Sequence, residues 1–346
     1  MKLNMHIEIV SSTDTGLSSM SKRSRDAVHA ILAKHYKFVR VTIVNDLSDL
    51  EDLVARRPDL VFLGMKFIPV DRLLGWNDPD KIWLSQYFDE NDIPYTGSGR
   101  LAHELELNKQ LAKQRVIEAG LSTSPYAVVA QGDVPVLNDA YLTYPLFVKP
   151  IDRGGGLGID ERSLVYNYDE LCLKVASIAS LHRSDSLVER YLSGREFSVA
   201  ILKDEFNDEY RAMPIELVAA PNDAGSRVLS QSIKASNTEV VTAIADAATK
   251  SKVCSLALDV FLALGARDYG RIDIRMDQFD EPYFLEANLV PSLIAGYGSF
   301  PKACVINQKL SYEAMLLAIV NLAFTRSLGD VETESLAPQL TAAVAA

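Results

Sequence analysis

Cysteine is scarce in this chain: Cys172, Cys254 and Cys304 are the only three in 346 residues, and none forms a CxxC pair. A disulfide framework and a thiolate zinc site are therefore excluded, and the expectation is of buried thiols in a reducing compartment. No apolar run approaches the roughly 18–20 residues that span a bilayer. The opening MKLNMHIEIV runs straight into strand-like sequence, without the long apolar core or cleavage site of a secretory leader. A cytoplasmic protein with no membrane partner is expected. Positive charge is also in deficit, since 35 Lys and Arg face 46 Asp and Glu, a net charge of −11. Such a surface repels phosphate backbones and excludes a general nucleic-acid binder, while leaving room for a local basic pocket that takes a nucleotide. Internal repeats and low-complexity tracts are absent as well.

The length suits two or three packed units. In the first hundred residues strand and helix signals alternate: HIEIV, a helix over 21–34, FVRVTIV, the buried run DLVFLGM, a helix over 81–91, then IPYTGSG. That alternation predicts a parallel sheet covered on both faces. One helix is expected over 102–119, stopped by Gly120. A smaller lobe follows, with strands in PYAVVA and YPLFVKP, a glycine-rich turn and a helix over 169–181. Beyond it come SLVERYL, EFSVAIL, a long helix over 238–264, a hairpin over 270–288 and a last helix over 312–325. The expected division is 1–100, 101–187 and 188–326, with 327–346 a weakly held tail.

The hairpin YGRIDIRMDQFDEPYFLEAN carries the most chemistry. With period-two alternation, Arg271, Asp273 and Arg275 share one face. A turn centred between Phe279 and Asp280 pairs Asp273 with Glu286 and Arg271 with Asn288, and on the other face Ile272 with Ala287 and Ile274 with Leu285. Two carboxylates and an amide oxygen suit magnesium, which prefers oxygen and shares its shell with phosphates. Arg271 beside them suits a transferring phosphoryl group or an oxyanion. The same spacing also describes an amphipathic hairpin whose charged face is simply solvated.

Upstream, Lys149 ends a strand and precedes Gly154, Gly155 and Gly156, a turn whose backbone N–H groups can approach phosphate oxygens. This is not a Walker A sequence, and a flexible turn reads equally well. In LVERYLSGREFSVAIL, the backbone of Glu189, Arg190, Tyr191 and Leu192 suits adenine and Glu196 suits ribose hydroxyls, although charges beside a turn are commonly just hydrated. The order, lysine with glycine loop, then this segment, then the acidic hairpin, is that of an ATP site.

With these motifs in sequence, IPYTGSG, Asn108-Lys109, FVKP with its glycine loop, LVERYLSGREFSVAIL and RIDIR…EAN, the chain resembles the D-alanine–D-alanine ligase-like ATP-grasp proteins from about Met5 to Leu322. The resemblance implies an α/β (α+β) ATP-grasp fold: an N-terminal parallel-sheet domain, a small central lobe and a C-terminal antiparallel-sheet domain, with ATP between the last two. It implies that Lys109 and Lys149 contact phosphates or adenine, that Glu189 and Leu192 contact adenine, and that Glu196 contacts ribose. Asp273, Glu286 and Asn288 would hold Mg2+, as two ions with Mn2+ able to substitute, and Arg271 would steady the phosphoryl and tetrahedral species. A homodimer is implied on the same ground only.

The substrate half departs from that pattern. Where the ligases place a glutamate in the N-terminal loop, this chain has Asp14, which reads equally as an Asx-turn residue. Gly155 and Ala235 stand where a serine and a tyrosine would, although Lys234 keeps the basic residue before the latter. After Asn288-Leu289-Val290-Pro291 comes Ser292 instead of glycine, and Ser299 or Gly298 aligns with the acceptor-binding serine. The expected activity is an ATP-dependent carboxylate–amine ligase acting through an acyl-phosphate on amino-acid-like substrates other than a D-alanine pair. Alternatives are a housekeeping D-alanine–D-alanine ligase, an enzyme using an oxygen nucleophile, and a non-catalytic nucleotide-binding protein.

Overall fold

In β1 (Leu3–Ser11) burial is complete from Ile7 onward, and the strand becomes the centre of the first sheet. The computed structural model describes residues 2–14, 16–17, 20–137, 139–221, 225, 227 and 239–328. β1 is followed by α1 (Lys22–His35), β2 (Tyr36–Ile43), α2 (Leu47–Ala55) and β3 (Leu60–Leu63), giving a parallel sheet of order β2-β1-β3. Both helices start on a side-chain cap: the Ser21 hydroxyl accepts from Ser24 N–H, and the Asp46 carboxylate accepts from Asp49 N–H. The parallel sheet expected from the alternating signals is present.

Two helices differ from expectation. Over 81–91 only α3 (Leu84–Glu90) is helical, because Lys81–Trp83 forms β5, paired with β4 (Phe67–Pro69). Ile82 and Trp83 suit a pleated, half-buried ribbon, and the Trp83 ring lies 5.5 Å from that of Phe67. Over 102–119 there are two helices, α4 (Arg100–Leu107) and α5 (Lys109–Glu118). Asn108 leaves helical geometry at φ −108° and ψ 103°, and its side chain caps Gln110 and Leu111 N–H. The break puts Lys109 at the start of α5, where its N–H donates to Ile151 O at 3.0 Å.

The central lobe is an antiparallel sheet of β6 (Tyr126–Val129), β7 (Leu146–Pro150), β8 (Leu164–Val165) and β9 (Ser186–Arg190), in the order β6-β9-β7-β8. α6 (Tyr168–His182) covers it with Leu171, Val175 and Ile178. β9 straddles the expected boundary at 187/188 and pairs with β6 and β7, so Glu189 and Arg190 stand on the central sheet.

The last sheet has the order β12-β11-β10-β13-β14, built from β10 (Glu196–Lys203), β11 (Tyr210–Val218), β12 (Val240–Thr242), β13 (Tyr269–Met276) and β14 (Pro282–Asn288). The long helix is α7 (Ala247–Ala263), starting at its Asp246 cap and not at 238. Val240, Val241 and Thr242 are β-branched and pair with β11 instead. One face of the sheet, with Phe197, Val199, Ile201, Ile272 and Ile274, packs on Val253, Ala257, Val260 and Phe261 of α7. Each such fully buried side chain contributes about 1.5–3 kcal/mol. On the other face, the end near Ala200, Leu202 and Tyr269 is covered by α8 (Ser299–Gln308) and α9 (Tyr312–Leu328), which also cover the first sheet. The rest of that face carries Glu196, Ser198, Arg271 and Asp273. Among the described residues, no single helix is long and apolar enough to cross a membrane. Cys304 is buried in this core, but Cys172 and Cys254 are only half-buried, which corrects the expectation of three buried thiols.

Candidate active site

β13 and β14 pair Asp273 with Glu286 and Arg271 with Asn288, as the alternation requires. β10 adds Ser198 opposite Asp273. Asp273 Oδ1 accepts from Ser198 Oγ at 2.7 Å, and Oδ2 accepts from Arg271 Nη2 at 2.9 Å and Asn288 Nδ2 at 3.4 Å. These partners fix the carboxylate before any ligand arrives. Among the described residues no group of three or more His, Cys, Asp or Glu converges as a metal cluster. Two carboxylates with an amide fit a magnesium ion that completes its shell from phosphate and water, and fit poorly with a soft metal.

The expected pairing of Ile274 with Leu285 does not form. The register shifts after Asp273, and Ile274 pairs with Phe284. Leu285 is the extra residue of a β-bulge, which lets it escape the alternation. Phe284 then enters the core beside Ile274, while Leu285 and Glu286, consecutive in sequence, both line the smaller of two adjoining cavities.

That smaller cavity, about 70 Å³, is walled by Lys149, Glu189, Arg190, Tyr191, Leu192 and Glu196 together with Phe147 and Leu285. It brings together the whole segment expected at adenine and ribose. The segment turns sharply: Gly194 N–H donates to Met276 O at 3.0 Å, and a Cβ on Gly194 would lie 2.5 Å from Asp277 O. Glu196 accepts from Arg275 Nη1 at 2.8 Å, and the Arg275 guanidinium stacks 4.9 Å from the Tyr191 ring. The side chain of Glu189 is engaged as well as its backbone, which pairs within the central sheet. Its carboxylate lies 2.6 Å from Lys113 Nζ and 2.7 Å from Lys149 Nζ, and accepts from Ser124 Oγ at 2.8 Å. Burial pushes Glu189 upward, but the two ammonium groups outweigh it and hold the carboxyl at about 2. For Lys149, burial lowers the value and Glu189 and Glu286 raise it further, so the ammonium is kept charged. Lys113 escaped the sequence reading, although it follows Lys109 by one helical turn and shares its face.

The larger cavity, about 570 Å³, shares Glu196, Asp273 and Glu286 with the smaller one. Gly154 and Gly155 line it, Gly155 at φ +64°, whereas Gly156 is buried at φ +81°. Lys109 stands beneath this loop and not on a cavity wall: it donates to Arg153 O and lies 3.9 Å from Glu286. Burial lowers it to about 8, against the pull of Glu286. Arg271, Asn288, Ser292, Gly298 and Ser299 also face the larger cavity. Gly298 precedes α8, and a Cβ there would lie 2.3 Å from Ser292 O, so a serine fits at 299 and not at 298.

Asp14 is exposed, and its Oδ1 accepts from Gly16 N–H at 2.7 Å, an Asx-type turn; Gly16 and Leu17, not Asp14, line the cavity. Lys234 and Ala235 lie outside the described residues. Three further wall residues had no sequence signal: Lys66, Trp76 and Arg153. Lys66 is bound to Glu106, whose carboxylate also accepts from Leu289 N–H at 2.8 Å, the residue after Asn288.

Residues 116–321 match the family model described as D-ala D-ala ligase C-terminus. A D-alanine–D-alanine ligase of Geobacter sulfurreducens is 30% identical over 241 residues, covering 69% of this chain and 72% of that one. One from Geotalea uraniireducens is 29% identical over 282 residues, covering 80% and 84%. The structure of a Bacillus anthracis D-alanine–D-alanine ligase complexed with ATP superposes with a TM-score of 0.71 at 20% identity, over 94% of this chain and 99% of that one, which establishes the shared fold.

Proposed function

Because the chain belongs to the D-alanine–D-alanine ligase family, whose members are ATP-dependent, ADP-forming C–N ligases, we propose that it forms an amide bond between two amino-acid-type substrates by way of an acyl-phosphate. The observation that carries this reading is the single face bearing Arg271, Asp273, Glu286 and Asn288, set against the buried lysines of the central lobe.

ATP lies, on this reading, with its base against Leu192 and Leu285, its ribose at Glu196 and its phosphates between the glycine loop and Asp273. Asp273, Glu286 and Asn288 would hold magnesium, as two ions and with Mn2+ able to replace them, which would supply positive charge against the transferring phosphoryl group. A substrate carboxylate oxygen takes the γ-phosphoryl group, and ADP leaves. The second substrate's neutral amine attacks the acyl carbon, the C–N bond forms as the acyl C–O bond to phosphate breaks, and the amine's surplus proton passes to the departing phosphate. Arg271 faces both the phosphoryl oxygens and the oxyanion of the tetrahedral species, where preorganised charge lowers the barrier most. Lys149, kept charged by Glu189, and Lys109 add cations on the phosphate side, and the family resemblance alone gives Lys234 a catalytic role.

The N-terminal domain (1–100), central lobe (101–187, carried on to Arg190 at the end of β9) and catalytic domain (from there to 326) divide these tasks, and 327–346 is the tail. Asp14, Ser292, Gly298 and Ser299 are assigned to the amino-acid substrates. Their departure from the family pattern, with Gly155 and Ala235, supports a pair other than two D-alanines, because a missing hydrogen-bond partner changes tolerance by large factors. A cytoplasmic homodimer is part of the proposal.

A phosphate-release screen with ATP, magnesium and paired amino acids of both enantiomers tests it. Release that depends on one donor and one acceptor is expected. Release with D-alanine alone would instead make the chain a D-alanine–D-alanine ligase, and no release with any pair would remove the ligase reading.

A further inference from the structure

Lys66 follows β3 and leads into β4, and it is the one residue of that connection with a cationic side chain. Its side chain is 15% exposed and lines the larger cavity together with Phe67, Trp76, Val290 and Ser292, none of which lines the smaller one. An ammonium group has three donors. Among the described residues Lys66 has one recorded partner, Glu106 Oε1 at 2.5 Å. That carboxylate is itself fixed, by Leu289 N–H at 2.8 Å and by His103 Nδ1 at 3.3 Å. The ammonium is thus held by a fixed carboxylate, and the side chain that carries it lines the cavity. The Trp76 ring also lines the cavity, 5.3 Å from the Phe67 ring in an edge-to-face arrangement and 5.8 Å from the Arg153 guanidinium. Arg153 is buried, and its Nη1 makes no hydrogen bond, although Asp152 Oδ1 lies 2.7 Å away.

Two neutral amino acids bring two carboxylates to this cavity. The reacting one belongs beside Arg271, and the acceptor's belongs at Ser292 and Ser299, at the start of α8. Lys66 is a third seat, and a cationic one. We propose that Lys66 binds a further carboxylate, so that one of the two substrates is a dicarboxylic amino acid. This rests on the ligase reading and names its substrate class. A fixed ammonium in a partly desolvated wall recognises a carboxylate by a charge-assisted hydrogen bond, and discriminates against the neutral amide of the same shape.

The test compares each acid with its own amide by calorimetric titration of the protein with ADP and magnesium present, so that nucleotide seats are filled. Aspartate is set against asparagine and glutamate against glutamine, in both enantiomers. One acid is expected to bind at least about tenfold tighter than its amide. Lys66→Met should bring that ratio to within about twofold, and Lys66→Arg should keep most of it, with ADP affinity unchanged in both. Equal affinities for acid and amide, or no binding of any of the acids, overturns the proposal. The comparison on the unaltered protein decides this even if a Lys66 variant does not fold. Discrimination in binding without phosphate release from any pair would sink the ligase reading and leave this site standing. Release with neutral pairs only would do the reverse.

Discussion

Lys149 Nζ lies 2.7 Å from Glu189 Oε2, and both groups are buried. Lys113 sits on the other oxygen, so a single carboxylate is shared by two buried ammonium groups.

Removing the shared carboxylate leaves two buried ammonium groups facing each other. Glu189→Gln should therefore destabilise the protein by about 3–5 kcal/mol, as breaking a buried ion pair does. Urea unfolding at neutral pH measures this, and a loss below about 1 kcal/mol would show that the ion pairs are not the lobe's main support.

The same group sets an acid limit. Glu189 is depressed from an ordinary 4.5 to about 2 in the folded protein. Between those values the unfolded chain binds a proton that the folded one does not, so this contribution is complete above 4.5 and is lost as pH falls from 4.5 towards 2. Stability measured against pH in that window should slope more steeply for the native chain than for Glu189→Gln. Parallel slopes would assign the acid sensitivity elsewhere.

Asp273→Asn keeps the size of the side chain and removes the charge that faces Glu286. ADP formation should fall by a factor on the order of a hundred or more, while the melting temperature moves little. Near-normal turnover in Asp273→Asn or Glu286→Gln would mean that these carboxylates do not hold the metal.

Gly194 has no room for a side chain, since a Cβ would meet Asp277 O at 2.5 Å and Met276 O at 2.7 Å, both backbone atoms. Gly194→Ala must push the Tyr191–Leu192 segment away from β13. An increase of roughly tenfold in the KM for ATP is expected, with a stability cost of about 1–3 kcal/mol. A nucleotide titration that shows no change would place adenine somewhere else.

Asp14→Asn preserves the oxygen that accepts from Gly16 and deletes only the charge. If the carboxylate turns to meet a substrate ammonium, the KM of the donor amino acid should rise about tenfold and that of ATP should stay fixed. Unchanged values for both would leave Asp14 a turn residue and nothing more.

The metal face was legible because period-two alternation needs only a correct turn centre, and the turn at 277–281 is marked by polar residues. The bulge one step further on was not, since Leu285 looks like any other strand residue and only the packing of Phe284 beside Ile274 reveals the shift. Asn108-Lys109 was recognisable as a motif, yet the helix break there was hidden by helix-favouring residues on both sides. Lys66, Trp76 and Arg153 meet from segments separated by as much as 87 positions in the sequence, and no local spacing encodes that meeting. The residues at 240–242 read as a helix start because three residues are too few to display a period.

β9 closes the central sheet and β10 opens the next one, with only residues 191–195 between them. The stretch proposed to cradle the purine is thus the direct covalent link between the two sheets, so a substitution in it displaces strands of both layers at once.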